Sequence, residues 1–212
     1  AILKAYDMGT RRMLLVSATG TGKTVIFSEL YKQMQSRLPD QMLVLAHTEE
    51  LIEQNRATLQ ANNPNTPVEV EMAGQYAEPN APIISASVQT LGRKDTNRVN
   101  RFTWDNIDKV IVDEAHHATA TAYRRIFDCA GSLNQDSRKL LLGTTATPAR
   151  SDEVSLADIF EKVVYVYPIR KAINEGFLVD IRGYRVHTDT SLAGVAKSGT
   201  DFAAGELSAR VD

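Results

Sequence analysis

The stretch Ser17-Ala18-Thr19-Gly20-Thr21-Gly22-Lys23-Thr24 combines two glycines, a lysine and a hydroxyl, a set suited to capturing phosphate. Small residues let backbone N–H groups approach an anion closely, and the positive end of a following helix adds to the attraction. On this reading Thr19, Gly20, Thr21, Gly22, Lys23 and Thr24 bind a triphosphate. Lys23 reaches its outer phosphates and the Thr24 hydroxyl holds Mg²⁺. The general pattern opens on glycine where this chain has Ser17, and the plainer alternative is a glycine-containing turn that caps a helix.

A second set follows about ninety residues later, where Ile107-Asp108-Lys109-Val110-Ile111-Val112 runs into Asp113-Glu114-Ala115-His116. Carboxylates at the point where a buried strand emerges lie where open α/β sheets bind ligands. Asp113 suits the coordination sphere of Mg²⁺, and Glu114 suits a base that takes a proton from attacking water. Asp113, Glu114 and Lys23 are therefore the candidate catalytic residues. The adjacent His116 and His117 lack the spacing of a zinc site, and a solvated or helix-capping His117 is the simpler expectation. A third stretch, Leu141-Leu142-Gly143-Thr144-Thr145-Ala146-Thr147-Pro148-Ala149-Arg150, is an apolar run entering a hydroxyl-rich turn, which by itself is equally an ordinary strand exit.

These residues need a framework that brings distant loops together. Short apolar runs predict strands at Met13–Ser17, Met42–His47, Val68–Met72, Ile83–Ser87, Lys109–Asp113, Leu140–Thr144, Val163–Tyr167 and Ile181–His187. Helical spacing predicts helices at Lys23–Arg37, Glu49–Gln60, Thr121–Gly131 and Ser155–Phe160, with a shorter one at Arg170–Glu175. Runs such as Leu43-Val44-Leu45 and Val110-Ile111-Val112 are apolar at consecutive positions, as in parallel strands covered by helices on both faces. The fold class expected is α/β, an open and mostly parallel sheet with helices on both faces.

The chain has 212 residues, enough for one domain and an extension. Its longest uninterrupted apolar runs, Met42–Ala46 and Val163–Tyr167, are far shorter than the ~20 residues of a membrane-spanning helix. Cys129 is the single cysteine, which excludes an internal disulfide and makes a cytoplasmic setting the expectation. With 24 Lys and Arg against 26 Asp and Glu, the net charge of -2 confines any nucleic-acid contact to one groove or strip. The run Arg93-Lys94-Asp95-Thr96-Asn97-Arg98-Val99-Asn100-Arg101 is either such a strip or a solvated loop. Ala1–Gly9 reads as a chain beginning inside a helix, and Asp189–Gly205 as a linker with a helical turn near Glu206–Arg210, so both ends suggest a piece of something longer.

Taken in order, Ala18-Thr19-Gly20-Thr21-Gly22-Lys23-Thr24, Ala46-His47-Thr48-Glu49-Glu50-Leu51, Ser87-Val88-Gln89-Thr90-Leu91, Asp113-Glu114-Ala115-His116 and Thr145-Ala146-Thr147-Pro148 resemble motifs I, Ia, Ib, II and III of a superfamily 2 helicase. The pattern is most similar to the D-E-x-H group related to restriction-enzyme motor subunits and DNA-repair helicases. The resemblance covers Met13–Arg150 most strongly. It implies a first RecA-like domain over residues 1–188, with 189–212 leading towards a second RecA-like domain. It also implies ATP and Mg²⁺ as cofactors, and a nucleic-acid partner, DNA in preference to RNA. His47, Thr48, Gln89 and Thr90 are implied contacts to the strand, and His116, Thr145 and Thr147 are implied couplers of nucleotide state to that groove. The family's adenine-reading Q motif and the arginine fingers of its second domain have no counterpart in the sequence. Two alternatives stand beside the motor: a sensor or scaffold ATPase that grips nucleic acid without unwinding it, and the motor subunit of a restriction system. A small-molecule kinase would not require motifs Ia and Ib and the T-A-T-P segment in this order.

Overall fold

The computed structural model describes residues 1–35, 41–147 and 156–183, with the short pieces 197–198 and 201–202. The chain divides into two compact units, Ala1–Val179 and Asp180–Asp212. In the first, α1 (Ile2–Asp7) precedes β1 (Arg12–Ser17), α2 (Lys23–Met34), β2 (Gln41–Ala46), α3 (Glu49–Asn62), β3 (Val68–Glu71) and β4 (Ile83–Ser87). The chain continues through α4 (Val88–Leu91), β5 (Ile107–Val112), α5 (Thr121–Ala130), β6 (Leu140–Thr145), β7 (Lys162–Tyr167) and α6 (Ile169–Asn174). In the second unit Lys197–Ser198 and Asp201–Phe202 pair antiparallel.

All seven strands of the first unit join one parallel sheet in the order β3-β4-β2-β5-β6-β1-β7. Alternation along each strand sends side chains to opposite faces, and two cores result. Leu14, Val16, Leu43, Leu45, Val110 and Val112 point to the side covered by Tyr123, Ile126 and Phe127 of α5. Met13, Leu15, Met42, Val44, Ile111 and Leu142 point to the other, under Phe27, Leu30, Tyr31 and Met34 of α2. The doubly covered α/β sheet expected from consecutive apolar positions is the fold observed.

Seven of the eight expected strands form. The eighth, Ile181–His187, does not begin as one, since residues 181–183 are irregular, and 184–187 lie outside the described residues. In place of the helix at Ser155–Phe160, the described part holds a single 3₁₀ turn, Leu156–Asp158, whose last two amide hydrogen bonds close on Leu156. The end of the expected first long helix, the proline of the T-A-T-P stretch and the helical turn at Glu206–Arg210 also lie outside the described residues, as does most of the expected linker. Strand β7 departs from expectation in another way. Although Val163-Val164-Tyr165-Val166-Tyr167 is apolar throughout, the strand lies at the sheet edge and leaves Val163, Tyr165 and Val166 exposed.

Among the described residues no helix is long and apolar enough to cross a membrane. Cys129 is half-buried against the α5 core, as a small boundary residue would be.

Candidate functional site

The loops leaving β1, β5 and β6 emerge side by side, because these strands are neighbours in the sheet. After β1 the chain turns at Gly20 and Gly22, whose φ angles of 80° and 79° are left-handed and costly for any residue with a Cβ. Ser17 and Thr21 share a hydrogen bond of 2.6 Å between their hydroxyls, and Thr21 also donates to the Ala18 carbonyl, so Ser17 takes part in closing the loop. Gly22 caps α2, placing Lys23 and Thr24 in the first helical turn with free amide groups at the positive helix end.

Strand β5 delivers Asp113 and Glu114 opposite that loop. Lys23 Nζ donates to Glu114 Oε1 at 2.8 Å, joining two of the expected catalytic residues in a mostly buried ion pair. Asp113 is buried and serves as a hub. Its Oδ1 accepts from Thr144 Oγ1 at 3.2 Å and from the Glu114 amide at 3.1 Å, while its Oδ2 accepts from Asn55 Nδ2 at 3.2 Å. Thr24 Oγ1 in turn donates to Asn55 Oδ1 at 3.0 Å. The expected Mg²⁺ ligands Thr24 and Asp113 are thus held one amide group apart.

Asn55, which no motif marks, joins the two. It projects from α3 and is buried in line with Ile52 and Leu59. The signal available was a polar residue on the apolar stripe of a helix, where burial demands partners. In the stretch that holds Thr145 and Thr147, it is Thr144 that bonds Asp113.

Beyond Asp113, Glu114 adopts φ 52° and ψ 55°, and the chain tightens into a 3₁₀ turn at Ala115–His117. That turn packs directly on β6. A Cβ at Gly143 would stand 2.8 Å from the Ala115 Cβ and 2.4 Å from the Phe160 ring, so only glycine permits the approach. The result brings His116 Nδ1 to 3.3 Å from both Thr145 Oγ1 and Glu114 Oε2. Thr145 Oγ1 accepts from the Thr147 amide at 3.1 Å. The three expected coupling residues therefore form one connected group with Glu114. Tyr123 of α5 packs beneath, its hydroxyl buried and without a hydrogen-bond partner among the described residues. Burial, reinforced by the carboxylates of Asp113 and Glu114, raises its pKa above the ordinary tyrosine range and keeps the phenol neutral.

The expected strand contacts collect on the loop after β2 and on the single turn of α4 that follows β4. Gln89 Nε2 donates to the His47 carbonyl at 2.7 Å, Thr48 caps α3 through a hydrogen bond from the Leu51 amide, and Thr90 Oγ1 accepts from the Ala73 amide at 3.1 Å. His117 is half-buried. Its ring centroid lies 4.5 Å from His47 and 4.1 Å from His116, which links the two groups of loops. The basic run splits in two. Arg98 and Arg101 turn inward onto the fully buried Glu71, while Arg93 pairs with Asp95 on the surface.

With this geometry in view, the chain compares clearly with known proteins. The model of the family described as type III restriction enzyme, res subunit, matches residues 1–150. The chain belongs to that family. Among its relatives is a protein of Saccharomyces cerevisiae named as an ATP-dependent helicase, IRC3, with 32% identity across 98% of this chain and 31% of the relative. The endonuclease subunit of the type I restriction enzyme EcoAI of Escherichia coli is 32% identical, across 91% of this chain and 24% of the relative. The chain thus spans a third or less of these curated relatives. The helicase domain of Pyrococcus furiosus Hef superposes with a TM-score of 0.61 over 78% of this chain and 36% of that one, at 24% identity, and shows the fold. For this res-subunit family member, sequence resemblance and fold agree on a first RecA-like domain of the superfamily 2 type.

Proposed function

We propose that this chain is the ATP-binding motor domain of a superfamily 2 helicase or translocase, hydrolysing ATP with Mg²⁺ to move on nucleic acid once paired with a second RecA-like domain. The observation that carries the proposal is the arrangement of Lys23 on Glu114 beside the chain Thr24–Asn55–Asp113, all at the carboxyl ends of β1 and β5. The oxygen donors Thr24 and Asp113 fit Mg²⁺, which takes one or two protein ligands together with phosphate oxygens. Held there, the cation would supply neutralisation of the phosphate charge. The triphosphate draws Lys23 away from Glu114, and the freed carboxylate takes a proton from the attacking water. His116 and Thr145, bonded to each other beside Glu114, pass the change to Thr147 and to the loops holding His47, Thr48, Gln89 and Thr90.

Residues 1–188 serve as the first RecA-like domain and 189–212 lead towards the second, which supplies the missing arginines. DNA in preference to RNA is supported by the restriction-enzyme subunit among the relatives, and the same relative favours a restriction motor as the second reading. The unpaired Cys129 suits a reducing compartment such as the cytoplasm.

Phosphate release by the full-length protein, measured with and without single-stranded DNA, tests the proposal. Strong stimulation by the polynucleotide is expected. ATP turnover indifferent to any nucleic acid would overturn the motor reading.

A further inference from the structure

The turn after β3 is tied to the loops assigned to the nucleic-acid strand, although no motif marks it. Strands β3, β4 and β2 are adjacent and parallel, so their carboxyl ends line one edge of the sheet. Gln89 joins the loop after β4 to the carbonyl of His47 after β2, and Thr90 joins it to the amide of Ala73 after β3. Ala73 has a φ of 46°, a strained value for alanine, within a tight turn closed by paired hydrogen bonds between Met72 and Gln75. A Cβ built at Gly74 would meet nothing within 4 Å, so the turn projects into open space.

Several interactions hold this strained turn. Glu71, fully buried at the end of β3, pairs with Arg98 and with Arg101. Arg98 also donates to the carbonyls of Ala73 and Gln75, and Arg101 donates to the carbonyl of Ala77. The two guanidinium groups lie against the ring of Tyr76, their central carbons 3.6 and 4.9 Å from its centroid. Tyr76 is nevertheless 61% exposed. Ordinarily a large exposed aromatic side chain is free to change rotamer, but this one is stacked on two cations that are themselves fixed by a buried carboxylate.

We infer that Tyr76 is a stacking platform for an unpaired base of the strand that runs over the loops after β2 and β4. A rigid ring with an open surface stacks on any base, since every base has a π-face, and guanidinium groups beneath it add attraction for the neighbouring phosphates. Because the ring is held before the strand arrives, little side-chain entropy is lost on binding. The inference rests on the nucleic-acid reading above and adds to it a contact to a base rather than to the backbone.

The test uses the full-length protein and fluorescence anisotropy with two probes, a dT12 oligonucleotide and a 12-mer of the same backbone carrying abasic sites. The wild type should prefer dT12, and Tyr76→Ala should lose about fivefold or more of that preference, matching the lower end of the stacking free energy per base. Tyr76→Phe should keep it, because the ring remains. If Tyr76→Ala leaves the preference unchanged while both proteins bind, the platform is wrong and the strand-binding reading stands. If the wild type binds neither probe, both fall.

Discussion

The two ends of the carboxyl edge of the sheet are held together by different kinds of bond. At the phosphate end the side-chain hydrogen bonds that join one loop or helix to another run from side chain to side chain: Lys23 to Glu114, Thr24 through Asn55 to Asp113, Thr144 to Asp113, His116 to Thr145. At the other end, beside the ion pairs of Glu71 with Arg98 and Arg101, they run between side chain and backbone: Gln89 to the His47 carbonyl, the Ala73 amide to Thr90, Arg98 to the carbonyls of Ala73 and Gln75. Side-chain pairs can exchange partners by rotating about a few bonds when a charged ligand competes for them. A loop pinned through its own backbone keeps its shape. On the proposed function, one end would rearrange with the nucleotide, and the other would hold a fixed surface for a strand whose phosphates are recognised without regard to sequence.

The largest effect that would sharpen this contrast belongs to Glu114. Glu114→Gln keeps the shape of the side chain but removes the proton acceptor, so ATP binding should survive while turnover of the full-length protein falls by roughly 10²- to 10⁴-fold. Steady-state phosphate release checks this, and normal turnover would move the base elsewhere. Next in size is Asn55→Ala, which breaks both hydrogen bonds of the Thr24–Asp113 bridge in a buried setting. A loss of about 1–3 kcal/mol in urea unfolding is expected, with a raised Mg²⁺ requirement for turnover. Unchanged stability and unchanged Mg²⁺ dependence would show that the bridge is incidental.

Thr90→Val probes the other end. It removes the acceptor for the Ala73 amide, and single-strand affinity should weaken by about 1 kcal/mol while affinity for ATP stays constant. A drop in ATP affinity instead would mean that the two ends are not separately built. The smallest effect is predicted for Tyr123→Phe. Since the hydroxyl is buried without a partner among the described residues, its removal should leave stability equal or raise it by up to about 1 kcal/mol, without loss of turnover. A marked loss of turnover would assign that hydroxyl a part in the chemistry.

The same contrast explains what could be read from the sequence. On the proposed function residues 17–24 and 113–116 are contiguous because a single loop must present several groups to one phosphate or one metal, and spacing alone marks them as candidates. Asn55 reaches the same site from the middle of a helix, and only its place between Ile52 and Leu59 on the buried stripe gives it away. The turn after β3 was harder still. Glu71, Tyr76, Arg98 and Arg101 meet only through the parallel pairing of β3 with β4 and the 3₁₀ turn at Arg98–Arg101, and a charge run cannot say which of its arginines turn inward. Helix α4 and the 3₁₀ turns are too short for any periodicity to register. Strand β7 shows the reverse difficulty, because an apolar run specifies a strand without saying whether it lies at the centre of a sheet or at its edge.

The central claim is that Lys23 exchanges Glu114 for the phosphates of ATP. Titration of the wild type and of Lys23→Ala with a fluorescent ATP analogue in the presence of Mg²⁺ tests it most directly. The account predicts a loss of about 1.5–3 kcal/mol in binding for the variant, the worth of a hydrogen bond to a charged group. Equal affinity of the two proteins would contradict it.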